Sequence, residues 1–136
     1  MGFDIEISSA IFESFTKKFS KSIKSDVVIA GAGPSGLLCA GILAKKGLKV
    51  TILEKRLAPG GGIWGGAMGM PEIILEKDTE AILKELHIKA TNAGNNLLVA
   101  SAFEISAALI LYAIKSGAII HNLTYLEDLV VIKKKV

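Results

Sequence analysis

The sequence predicts an α/β fold with a parallel sheet, and three features of it carry that expectation. A short apolar run, "DVVIA" (26–30), leads through "GAGPSG" (31–36) into a helical pattern. A second apolar, β-branched run, "LKVTILEK" (48–55), returns one helix length later. The alternation recurs near the end, where "NLLVA" (96–100), an apolar helix and "AIIHNL" (118–123) follow one another. Strand, helix and strand within about 30 residues form a βαβ unit, whose crossover is right-handed in nearly all cases.

The first element is a helix. From Ser8 to Ile23 the residues Ile11, Phe12, Phe15, Phe19 and Ile23 recur at helical spacing, with Lys17, Lys18 and Lys21 between them. Residues 1–25 are therefore read as an N-terminal amphipathic helix. Its apolar side has three available partners: its own domain, a membrane surface or a neighbouring subunit. Residues 26–136 form the second unit.

"DVVIA" is apolar on both faces, which suits a buried parallel strand. Helical character runs from Ser35 to Lys46, and Gly47 stands where a C′ glycine ends a helix. "APGGGIWGGAMGMP" (58–71) must be a loop, because six glycines and two prolines interrupt any regular ladder. Asp78 is expected to cap a short helix through "TEAILKELHI" (79–88). Asn92 to Asn96 reads as a turn and "NLLVA" as a strand. Ser101 and Glu104 have capping-box spacing before an apolar helix ending near Gly117. "AIIHNL" and "LEDLVVIKK" (126–134) complete the chain as strands.

Composition limits the function classes. At 136 residues the chain has the length of one domain, and 51% hydrophobic with 21% charged residues excludes a disordered segment. The net charge of +3 gathers in "TKKFSKSIK" and "IKKKV", near the two ends, so no basic face for nucleic acid is expected. The longest apolar stretch, "ISAALILYAI" (105–114), falls short of the roughly 20 residues that cross a bilayer. No secretory leader is recognisable. The single Cys39 cannot form an internal disulfide, which is consistent with a cytoplasmic location. Placed among Leu37, Leu38 and Ile42, it reads as a small core residue.

The glycines carry the functional expectation. At the carboxyl end of the first strand, Gly31 permits a tight turn, Gly33 lets the backbone approach a pyrophosphate, and Gly36 lets the helix lie close to the strand. A helix N-terminus holds anions through free N–H groups and about half a unit of positive charge. Pro34 suits the first helical turn, and the Ser35 hydroxyl can add a contact. Glu54, about 20 residues on at the end of the second strand, is placed to accept hydrogen bonds from an adenosine ribose. Residues 26–136 are accordingly read as the N-terminal half of one dinucleotide-binding domain.

"EKRLAPGGGIWGGAMGMP" resembles the glycine-rich loop of the thiazole synthases of thiamine biosynthesis, relatives of the glutathione-reductase-type flavoproteins. "GGGIWGG" is its most specific part, and the resemblance extends from Asp26 through "SAFEISAALILYAIKSGAIIHNLTYLEDLVV". The fold it implies is a Rossmann-like dinucleotide-binding fold of the glutathione-reductase type, incomplete at the C-terminus. The activity it implies consumes NAD as a substrate: with glycine and sulfide, and assisted by iron(II), NAD becomes an adenylated thiazole carboxylate. "GAGPSG" and "GGGIWGG" are closer to the archaeal, sulfide-using type. Carried over by position, Ser35, Glu54, Lys55 and Gly62 fall on nucleotide-contacting positions, and Leu126 falls where a backbone lies against adenine. Gly61, beside Gly62, faces the diphosphate or its ribose, and Trp64 either covers the site or packs as an ordinary core residue. Lys55 stands where an arginine is expected, and an ammonium does not reproduce a guanidinium fork.

The family's chains are about twice as long and assemble as octamers. Its iron ligands and its glycine-binding arginine match positions beyond Val136, so no catalytic or metal residue is assigned, and His87 and His121 are read as structural. Two further readings remain: the FAD-binding half of a flavin oxidoreductase, and a nucleotide-binding or assembly fragment without turnover. A sheet left half-built would expose an edge and promote association.

Overall fold

A computed structural model of the chain describes residues 2–132. Three parallel strands, β1 (Val27–Ala30), β2 (Val50–Leu53) and β6 (Ile119–His121), lie in the order β1-β2-β6. Helices α2 (Pro34–Lys45) and α4 (Ala102–Lys115) cover one face of this sheet. The core between them is built from Leu37, Ala40 and Ala44 of α2, Val50 and Ile52 of β2, and Ile105, Leu109 and Ala113 of α4. The two helices approach closely enough that a methyl group on Gly41 would collide with the Tyr112 ring.

A second sheet was not expected. Between β2 and α4 the chain forms β3 (Glu72–Glu76), α3 (Glu80–Glu85), β4 (Ala90–Gly94) and β5 (Leu97–Ser101), and the three strands pair antiparallel in the order β3-β5-β4. Residues 90–94, whose end overlaps the expected turn, are strand instead. The turn itself is confined to Asn95 and Asn96, at φ of 48° and 63°, the left-handed pair that a two-residue hairpin turn requires. Ile73 and Leu75 of β3 lie beside Ala100 and Leu98 of β5 and face the core, whereas Glu72, Ile74 and Glu76 face outward.

Several local expectations need correction. Asp78 does not cap α3: it sits in a 3₁₀ turn over 77–79, and the Thr79 hydroxyl donates back to the Glu76 carbonyl at 2.6 Å. Ser101 does cap α4, accepting from the Glu104 amide at 3.4 Å, but the Glu104 carboxylate accepts from the Lys89 amide at 3.2 Å and not from Ser101. Cys39 is exposed, because the buried stripe of α2 runs through Leu37, Ala40, Gly41 and Ala44 and position 39 falls off it. The expected last strand does not form over 126–131, where no ladder is made among the described residues; Lys133 and Lys134 lie outside them.

Helix α1 (Gly2–Ser22) begins earlier than its apolar repeat and projects from the body, with Phe3, Ile11, Phe12 and Ile23 exposed. Its attachment is at the C-terminal end. The Ser22 hydroxyl and His121 Nε2 are 2.7 Å apart, Phe15 and Phe19 meet the His121 ring edge-on, and the Ser25 and Thr51 hydroxyls are 2.7 Å apart.

Candidate nucleotide site

Parallel strands place their carboxyl ends, and the loops that follow them, along one rim of the sheet. A cleft of about 380 Å³ opens there. The turn after β1, the turn after β2 and the segment after β6 all contribute to it.

The β1–α2 turn has the conformation its glycines predict. Gly31 sits at φ +96°, where a side chain would be strained, and donates its N–H to the Leu53 carbonyl at 2.8 Å. A methyl on Gly36 would strike the Gly31 carbonyl oxygen, so this glycine allows the helix to lie against the turn. Gly33 differs. Its φ of −75° suits any residue, and a Cβ there would meet no protein atom within 4 Å. Among the described residues nothing requires Gly33 to lack a Cβ, and the space it leaves opens into the cleft. Among the described residues, no protein acceptor takes the N–H groups of Gly33, Ser35 or Gly36 at the start of α2.

Glu54 is 5% exposed and both its oxygens are occupied. Oε1 accepts from the Arg56 amide at 2.8 Å, and Oε2 accepts from the Ala32 amide at 2.6 Å. The Arg56 amide bond is the main influence holding this carboxyl below its usual range; burial opposes it, while the Ala32 amide and the charges of Arg56 and Lys55 add to the lowering. Glu54 thus fastens the glycine turn after β1 to the turn after β2.

The second glycine cluster packs against the first. Gly60 donates to the Ala32 carbonyl at 2.7 Å, and Gly61, at φ +65°, brings its α-carbon side against Gly33. Trp64 is not a lid over the cleft. Its indole N–H donates to the Pro59 carbonyl at 2.7 Å, and its ring packs near Phe103 and over Gly60, where a Cβ would collide with it.

Of the residues singled out from sequence, Gly31, Gly33, Glu54, Lys55, Gly61, Gly62 and Leu126 line this one cleft. Ser35 and Gly36 do not. Ser35 borders an adjacent apolar cavity with Pro34, Leu38 and Ile63, and Gly36 lies behind the turn. Ala30, Leu53, Arg56, Thr124 and Tyr125 also line the cleft and had no sequence signal of their own. Thr124 and Tyr125 arrive through tertiary pairing: Thr124 donates to the Glu54 carbonyl at 2.9 Å, Leu123 to the Arg56 carbonyl at 3.3 Å, and the Asn122 amide to the Leu57 carbonyl at 2.8 Å. Among the described residues no three of His, Cys, Asp and Glu come together as metal ligands.

A glycine turn, a helix N-terminus and an acid one strand over, all at the carboxyl rim of a parallel sheet, define a dinucleotide-binding α/β protein of the FAD/NAD(P)-binding fold. A solved structure of a 2-methyl-3-hydroxypyridine-5-carboxylic acid oxygenase shares that fold at TM-score 0.57 and 18% identity, over 72% of this chain and 31% of its own. The chain belongs to the Thi4 family, whose model matches residues 8–136. It is 43% identical over 128 residues to the thiamine thiazole synthase of Thermococcus kodakarensis, covering 94% of this chain and 51% of that protein. The crystal structure of Thermovibrio ammonificans THI4 superposes at TM-score 0.84 with 38% identity, over 88% of this chain and 45% of the other. The chain therefore spans about half the length of the curated relatives it matches.

Proposed function

We propose that this chain is the nucleotide-binding half of a thiazole synthase, and that its cleft takes the adenosine diphosphate portion of NAD, which the complete enzyme consumes as a substrate with glycine and sulfide. The observation that carries this reading is Gly33: a position free of packing or conformational demand, left without a side chain where unpaired amides meet the cleft. The diphosphate would lie against Gly33, Gly61 and Gly62 at the mouth of α2, and the ribose beside Glu54. The similarity to thiamine thiazole synthases and the "GGGIWGG" loop support NAD over FAD. The chain spans about half the length of the thiazole synthases it matches, and the resemblance places the family's iron ligands and glycine-binding arginine in the other half. Incubated alone with NAD, glycine, sulfide and iron(II), these residues are expected to form no thiazole.

Equilibrium dialysis against NAD and FAD tests the assignment. Saturable NAD binding is expected, weakened in Gly33→Ala while the thermal midpoint stays near that of the parent, since the added methyl meets no protein atom within 4 Å among the described residues. Binding of FAD alone, with a yellow protein, would transfer the chain to the flavin reading. Binding of neither would overturn both.

A further inference from the structure

We infer that Tyr125 is the base-stacking residue of this cleft, giving it preference for a purine over a pyrimidine nucleotide; the inference rests on the nucleotide reading above. Strand order fixes the direction in which a ligand must lie. The sheet runs β1-β2-β6, the turn after β1 carries the free amides, Glu54 follows β2, and residues 122–126 follow β6. A nucleoside diphosphate with its phosphates on the Gly33 turn and its sugar beside Glu54 therefore directs its base towards 124–126.

That end of the cleft has one aromatic ring. Tyr125 is the sole aromatic among the lining residues, is 67% exposed, and has no hydrogen-bond or ring partner among the described residues. Its backbone, by contrast, is well placed: the bonds from Leu123 and Thr124 to the 54–56 segment hold the preceding residues on the rim. A large ring on a fixed backbone at the edge of a cleft gains area when a flat base covers it. Aromatic stacking is indifferent to hydrogen-bond pattern and increases with ring area, which favours a purine.

The test is titration of the full chain and two variants, Tyr125→Phe and Tyr125→Ala, with ADP, UDP and inorganic pyrophosphate. Wild type and Tyr125→Phe should bind ADP alike and more tightly than UDP. Tyr125→Ala should bind ADP about ten- to a hundredfold more weakly, with its ADP-to-UDP preference falling towards one and its pyrophosphate affinity unchanged. Equal ADP binding by Tyr125→Ala and wild type would overturn the inference and leave the nucleotide reading standing. A parallel loss of pyrophosphate binding would also overturn it, because the tyrosine would then be supporting the loop and not the base. A wild-type chain that binds pyrophosphate but no ADP would overturn the nucleotide reading itself.

Discussion

Both carboxylate oxygens of Glu54 end on backbone N–H groups, which gives this residue a structural duty that the ribose role alone does not imply. Glu54→Gln keeps one carbonyl acceptor but turns an NH₂ towards the other amide, leaving a buried donor unmet at a cost of about 1–3 kcal/mol. Denaturant titration should record that loss; an unchanged midpoint would mean that water or the loop compensates. The acid dependence follows from the direction of the pKa shift. Because the folded-state pKa is depressed, the stabilisation is complete above the ordinary glutamate value, about 4.3, and fades as pH falls through the lower folded value. The parent should therefore lose stability on acidification below that range more steeply than Glu54→Gln. Gly36→Ala makes a separate residue-scale test, since its methyl would meet the Gly31 carbonyl oxygen and overpacking of this kind costs about 1–3 kcal/mol. Glu54 was legible in the sequence as an acid at the right distance from the glycines. Its grip on the Ala32 and Arg56 amides was not: the first is brought there by the β1–β2 pairing, and the second is a local bond two residues on, to a backbone atom that no residue type announces.

At the scale of elements, β1, α2, β2, α4 and β6 were legible because each has a run or period longer than its boundary ambiguity. The antiparallel sheet was not. "EIILE" has three apolar residues in a row and alternates only in its burial, and "ATNAG" has no apolar face, since every residue of β4 is exposed. Strand β4 exists because the Asn95–Asn96 turn folds it onto β5. Asn96→Val should weaken this hairpin by about 1–2 kcal/mol, as a β-branched residue is forced into left-handed backbone; faster amide exchange across β4 and β5 would register it, and unaltered exchange would deny the turn its role. His121 is buried, and the partner it packs against was unforeseen. It is the helix α1, ninety-nine residues earlier, through Ser22. His121→Ala should detach the last turns of α1, seen as a rise in amide exchange near Phe15 and Phe19 with little change in β2. Protection retained at both sites would show that Ser25 and Thr51 suffice to hold the helix.

At the scale of the whole molecule, the parallel sheet has an open edge at β1 among the described residues. β1 pairs on one side only among the described residues, and Val28, on the face away from α2 and α4, is 54% exposed. Unpaired edges and bare apolar faces favour association. Sedimentation velocity should accordingly find species heavier than the 14.3 kDa chain, shifted towards monomer in Val28→Lys; a monodisperse monomer at high concentration would contradict this. The cleft, however, is lined by the carboxyl ends of β1 and β2 and by the segments that follow β1, β2 and β6, so it does not depend on what lies against the free edge. The most direct test of that claim is the backbone amide spectrum of the labelled chain during titration with ADP-ribose. Saturable shifts at Gly33, Ser35, Gly36, Glu54 and Thr124 to Leu126, with the amides of β3 to β5 unmoved, are the predicted result. Shifts confined to another surface, or none at ligand saturation of the related full-length enzyme, would contradict it.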